Sequence, residues 1–221
     1  MRAKLIAKTM PVDDIQATDA NEFIAYVARV SNPSNQNNND TAPRLINYLM
    51  RHKHWSPFEH YSLTIEIECP KDIAIQLLRH RSFTFQEFSQ RYADVNAMGF
   101  VKREVRLQDK TNRQNSIDTD DIALNDWWDN QQTKMIYEAQ TRYIEALQKG
   151  IAKEQARALL PIGLTNSRLY VTGNVRSWLH YLIVRLDPTT QKEHRQLAEL
   201  VKAEVQKVFD ISPILKEKLH G

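Results

Sequence analysis

The residues most able to do chemistry lie between positions 79 and 92, which read Arg-His-Arg-Ser-Phe-Thr-Phe-Gln-Glu-Phe-Ser-Gln-Arg-Tyr. Arg79, His80 and Arg81 stand in a row, and Ser89 and Arg91 follow. Four Arg and His side chains in so short a span suit a multiply charged anion, and a phosphorylated ligand is the natural candidate. Polar residues interrupt Phe83, Phe85 and Phe88, so this segment is not expected to pack as core. The plain alternative is a solvated basic turn after a helix.

A second group surrounds Trp55 in Arg-His-Lys-His-Trp-Ser-Pro-Phe-Glu-His, residues 51 to 60. Imidazoles and Glu59 are metal-ligand types, but the spacing of His52, His54 and His60 matches no ligand motif, and no metal is expected. An imidazole and a hydroxyl there could instead face a planar cofactor, or simply be surface polar groups. A third group is dispersed: Arg157, Arg168, Arg176 and Arg185. Arg157 and Arg185 sit in apolar helical contexts, where a guanidinium is costly unless paired or bound to an anion. Asp187 and Glu154 are candidate partners. Asn174 stands at a strand-to-helix junction and could cap the helix or hold a ligand edge.

Several elements must position these groups. Lys4 to Lys8 suits a short strand. Asp19 with Glu22 marks a helix start, running to about Val30 with Phe23, Ile24, Val27 and Val30 inward. Residues 31–40 form a polar loop. Thr41 and Pro43 start a second helix with Leu45, Leu49 and Tyr48 inward. Tyr61 to Cys69 alternates with period two, the clearest strand. Pro70 opens a helix that delivers Arg79. Phe100 to Leu107 also alternates and is expected to be a sheet strand. Residues 108–121 form a second polar loop. A long helix runs from Ile122 to Lys149, with Trp128, Met135, Ile136, Tyr143, Ile144 and Leu147 in helical spacing and Gly150 as its stop. Adjacent Trp127 and Trp128 are expected on different sides of it. A short helix, Lys153 to Leu160, a strand near Leu169 to Thr172, and helices Val175 to Leu186 and Thr190 to Phe209 complete the chain. The expected class is α+β: a central, mostly antiparallel sheet flanked by helices, with a long-helix lobe, in one domain spanning 1–221.

Composition supports this and excludes several classes. The chain has 221 residues and 42% hydrophobic residues, enough for one cored domain. With 30 Lys and Arg against 27 Asp and Glu, the net charge is too small to argue for a nucleic-acid coat. One cysteine, Cys69, rules out an internal disulfide framework and a cysteine-based zinc site. Neither a membrane span nor a signal peptide is expected, so the reading is a cytoplasmic protein.

The motif Arg-His-Arg, seven residues, Ser is similar to the signature of the flavin-dependent thymidylate synthases. The segment around His54 and Ser56, Ala156-Arg157-Ala158-Leu159-Leu160-Pro161, and Asn174-Val175-Arg176-Ser177 also resemble family segments, in order, so the resemblance spans about residues 28 to 191. It implies conversion of dUMP to dTMP through bound FAD, with methylenetetrahydrofolate as carbon donor and NADPH as reductant, in a homotetramer with shared active sites. It places Ser31, His54, Ser56, Arg79, His80, Arg81, Glu87, Asn174, Arg176 and His180 at FAD. It places Gln76, Arg79, Glu87, Ser89, Gln90, Arg91, Arg157 and Arg185 at dUMP, with Arg157 reaching the dUMP of a neighbouring subunit and Arg185 facing the uracil as the catalytic cation. Two positions depart from the pattern: Thr189 stands where many members have His, and His180 where some have Asn. A non-catalytic nucleotide- or RNA-binding protein on the same fold is the competing class. It has no need of His54, Arg79, Arg81 and Asn174 together.

Overall fold

The computed structural model describes residues 1–93 and 98–211. Its centre is a four-stranded antiparallel sheet in the order β1-β2-β6-β3, formed by β1 (Arg2–Lys8), β2 (Ser62–Pro70), β6 (Asn166–Asn174) and β3 (Thr84–Glu87). The period-two pattern of β2 builds this sheet. Leu63, Ile65, Ile67 and Cys69 are buried on one side, while Ser62, Thr64, Glu66 and Glu68 are half-buried on the other. That second face is tied by polar ladders: Thr64 and Thr172 hydroxyls lie 2.9 Å apart, and Glu68 receives Arg2 at 3.0 Å and Arg168 at 2.6 Å. An antiparallel sheet with one wet face follows directly.

Helices cover the apolar face. They are α1 (Ala20–Ala28), α2 (Ala42–Arg51), α3 (Lys71–Leu78), α6 (Val175–Arg185) and α7 (Lys192–Gln206), and their buried residues join the β2 and β6 residues in one core. Local chemistry sets the helix ends. Asp19 accepts from the Glu22 N–H at 2.9 Å, and Glu22 in turn accepts from the Thr18 N–H at 2.7 Å. Asp121 caps α4 (Ile122–Gln148), and Gly150, at φ 80°, ends it in the left-handed region that glycine adopts freely. The short α5 (Lys153–Ala156) follows. The α+β class is as expected, and Cys69 is buried where the alternation put it.

The differences from expectation are informative. Phe100 to Leu107 is not a strand of the main sheet. Phe100 makes one isolated bridge to Thr165, and only Arg106–Gln108 (β4) pairs, with Ser116–Asp118 (β5) inside the expected loop. Arg103 in this stretch serves another purpose, bonding Asp72, the Gly163 carbonyl and, through its own backbone, Gln132. β3 lies within the segment not expected to pack as core. Phe83 just before it is buried, with its ring 4.4 Å from that of Trp178. Val30 and Tyr48 are exposed; Ile24 and Leu49 are buried as expected, and Ile46 and Met50 join them. On α4, Met135 and Ile144 also face out, and only Gln132, Ala139, Tyr143 and Ala146 are buried. Trp127 and Trp128 do not diverge: their rings stack with centroids 6.3 Å apart and line one cavity.

Phe83 packs flat against Gly173 in β6, and a methyl group at Gly173 would overlap its ring. Gly173→Ala is therefore expected to destabilise the fold by about 1–3 kcal/mol. Denaturant unfolding checks this, and a variant as stable as wild type contradicts the packing.

Candidate active site

Three clusters of polar side chains emerge from this frame. The first surrounds a cleft of about 570 Å³ lined by Trp55, Glu59, Ser82, Asn174, Arg176 and His180 among others, with Leu179 and Ile183 as apolar wall. Strand β6 ends here, and the Asn174 carboxamide caps α6 by accepting from the Ser177 N–H and hydroxyl, both at 2.9 Å. The capping role is thus real, and it falls to the oxygen Oδ1, not the amino group, of a residue that lines the cleft. Arg176 pairs with Glu59, joining α6 to the Ser56–His60 turn. His54 and Ser56 flank Trp55 and are exposed; the His54 ring lies 6.0 Å from that of Tyr48. Ser31 is exposed just past α1.

The second cluster adjoins the first through the turn after α3. Arg79 is the C-cap of that helix and is exposed, as is Arg81, while Ser82 reaches the cleft. Between them His80 is half-buried and accepts from Arg185 Nε at 2.9 Å. An accepting Nε2 requires the neutral imidazole. Burial, with Arg185 and His180 nearby, pushes the His80 pKa down to about 4, so it is neutral at ordinary pH. Arg185 therefore has its Nε–H fixed on His80, and its terminal N–H groups are the donors that a ligand could take. The group that holds Arg185 is the neutral His80 ring, not a carboxylate. Gln76, one turn before Arg79, belongs to this cluster and bonds Gln191 at 2.7 Å and His194 at 3.0 Å.

The third cluster is separate. Glu87 ends β3 and pairs with Lys71 at 2.5 Å, also accepting from Ser167 at 2.8 Å. Ser89 Oγ accepts from the Arg91 N–H at 3.3 Å, and Gln90 lies between them. Arg91 reaches Glu154 at 3.4 Å, and Arg157 Nε donates to the Glu154 carbonyl at 3.2 Å. Arg157 is exposed, with Ala158 and Leu159 beside it also exposed, so the expected cost of embedding it in an apolar face does not arise. Among the described residues no base and orienting group surround Ser89. Its hydroxyl is a turn-stabilising acceptor, suited to binding and not to nucleophilic attack.

Lys71 begins α3 and Arg79 follows its end, so the second and third clusters lie roughly 12 Å apart along that axis. One chain does not bring Glu87, Ser89, Arg91 and Arg157 to Arg185. Trp55, Glu59 and Lys71 were missed as participants. Glu59 and Trp55 lay in a segment already singled out, but their partners are far away in the sequence.

Comparison with known proteins gives these clusters a context. Residues 15–210 match the family described as thymidylate synthase complementing protein. A probable flavin-dependent thymidylate synthase of Paramecium bursaria Chlorella virus 1 is 49% identical over 202 residues, covering 91% of this chain and 92% of that protein. The flavin-dependent thymidylate synthase of Synechocystis is 46% identical over 200 residues, covering 90% and 91%. Among solved structures, a UMP/dUMP methylase PolB from Streptomyces cacaoi, bound with 5-Br dUMP, superposes with TM-score 0.78 at 29% identity, covering 93% of this chain and 90% of that one. Near-complete coverage at almost half identity means that the chain belongs to the flavin-dependent thymidylate synthases and is a methyltransferase.

Proposed function

We propose that this enzyme converts dUMP to dTMP through bound FAD, with methylenetetrahydrofolate as carbon donor and NADPH as reductant. The observation that carries the reading is the half-buried Arg185, oriented by a neutral His80. Uracil C5 becomes nucleophilic when negative charge at the ring's N3 and O4 is stabilised. A preorganised guanidinium does this without titrating.

The cleft suits a flavin in its chemistry. Trp55, Leu179 and Ile183 offer apolar contact, and the Arg79–Arg81 turn and Arg176 stand near it as anion donors. His54, Ser56, Asn174 and His180 are the polar groups that would contact its rings, with Ser31 at the edge. When bound, FAD supplies the hydride; the protein's own groups orient the nucleotide, exclude water and hold charge.

Gln76, Arg79 and Arg185 bind dUMP from one side. Glu87, Ser89, Gln90 and Arg91 belong to the third cluster, with Arg157 beside them, so in this reading neighbouring protomers complete the pocket in a homotetramer. The separation of the clusters supports that arrangement. The test begins with the purified protein. It should be yellow, be bleached by NADPH, and release tritium from dUMP labelled at C5 when the folate is present. A colourless protein that takes up no added FAD sinks the reading.

A further inference from the structure

We propose that Glu193, acting through Gln191 and together with His194, positions Gln76 so that it offers the nucleotide a hydrogen-bond donor and not an acceptor; this rests on the function proposed above. Glu193 is buried and receives Arg106 Nη2 on Oε1. Burial raises its pKa, but the bonds from Arg106 and Gln191 outweigh this and hold it below the usual carboxylate range. It is therefore ionised and can only accept.

That single fact sets the direction of everything attached to it. Gln191 must turn its amino group to Glu193, and Nε2 donates to Oε2 at 2.9 Å. Its carbonyl oxygen is thus left facing Gln76, which must present its own amino group, 2.7 Å away. The Gln76 carbonyl oxygen then faces His194, whose Nδ1 lies at 3.0 Å and must carry the proton. His194 is fully buried, and its Nε2 has no hydrogen-bond partner among the described residues. Burial, with Arg185 and His80 nearby, pushes its pKa down to about 3, so the ring is neutral and Nε2 is bare. The polarity runs one way from the ion pair to His194.

Gln76 occupies the last turn of α3, close to Arg79. Its two anchored bonds use one N–H and one oxygen lone pair; the spare N–H is on the amino group, while the second lone pair stays on the oxygen turned toward His194. Turning the carbonyl outward would break both bonds. A carbonyl or phosphate oxygen of the ligand is accepted at this point, and an amino group meets donor against donor. Glu193, Gln191 and His194 are positioning residues in this scheme.

Glu193→Gln removes the constraint while keeping the shape. In the flavin-loaded enzyme the KM for dUMP is expected to rise about tenfold, the size of one lost hydrogen bond, with flavin content unchanged and kcat within about twofold. A folded, yellow variant with unchanged KM overturns the inference. Because Glu193 is paired with buried Arg106, the variant could fail to fold. The tautomer of His194 in ¹⁵N-histidine-labelled wild-type holoenzyme then decides by NMR. A neutral ring protonated at Nδ1 upholds the chain of bonds; an Nε2–H tautomer or an imidazolium overturns it. Wild-type holoenzyme that binds no dUMP by titration calorimetry sinks the underlying function and the inference with it. Binding by wild type, with no KM change in the variant, sinks the inference alone.

Discussion

Arg185→Ala is expected to lower turnover by about 10²–10³, the usual loss on removing one preorganised charge-stabilising donor. Flavin should stay bound, since the cleft around Asn174, Arg176 and Trp55 does not depend on this side chain. The contrasting variant is Cys69→Ser. Other routes to dTMP add a thiolate to uracil C6, so the lone cysteine needs to be eliminated. Cys69 is buried on the core face of β2, and burial, with Asp72 and Glu87 nearby, pushes its pKa up to about 12. A protonated thiol without access is no nucleophile. Cys69→Ser should cost about 1–3 kcal/mol of stability if its hydroxyl finds no partner, and leave the chemistry intact. Tritium release from labelled dUMP, with flavin content measured first, checks both. A folded, yellow Cys69→Ser enzyme without activity, or Arg185→Ala near wild type, refutes the mechanism.

The largest gain of activity is expected from mixing two dead proteins. Arg157→Ala and Arg185→Ala should each be nearly inactive. If every site takes Arg157 and Arg185 from different protomers, then in random 1:1 assemblies roughly a quarter of sites receive both native residues. Co-expression with two affinity tags, followed by tandem purification, isolates the mixed assemblies. Recovery of activity toward that fraction supports composite sites. Mixed assemblies as inactive as the parents contradict them.

What was legible in the sequence was legible because it is local. Asp19 with Glu22, Gly150 and Asn174 mark helix ends through bonds to residues within one turn, and they stand where expected. The alternation of β2 was readable because one face is buried along its whole length. Phe100 to Leu107 has an alternating pattern too, but alternation needs a partner strand, and most of this stretch has none. β3 was hidden for the opposite reason: four residues with few apolar groups pair with β6, far along the chain. The two tryptophans were misjudged because successive helical residues are separated by about 100°, not 180°, and large rings can lean together. In the site, the residue types around Arg79 and Arg185 were informative. Their split into separate clusters, and the acceptor role of His80, depend on tertiary geometry that no spacing encodes.

The strand order has a consequence for synthesis on the ribosome. β2 sits between β1 and β6, and its β6 partners run from Asn166 to Asn174, near the end of the chain. Until those residues emerge, β2 has one open edge and the apolar row Leu63, Ile65 and Ile67 lacks the helices α6 and α7 that complete its cover. β3 emerges earlier still, yet it can bond only to β6. The nascent chain must therefore carry an unpaired, sticky half-sheet through about half of translation, a state prone to aggregation and suited to chaperone capture. Closure comes late and in one step, when β6 slides between two strands that have been waiting for it.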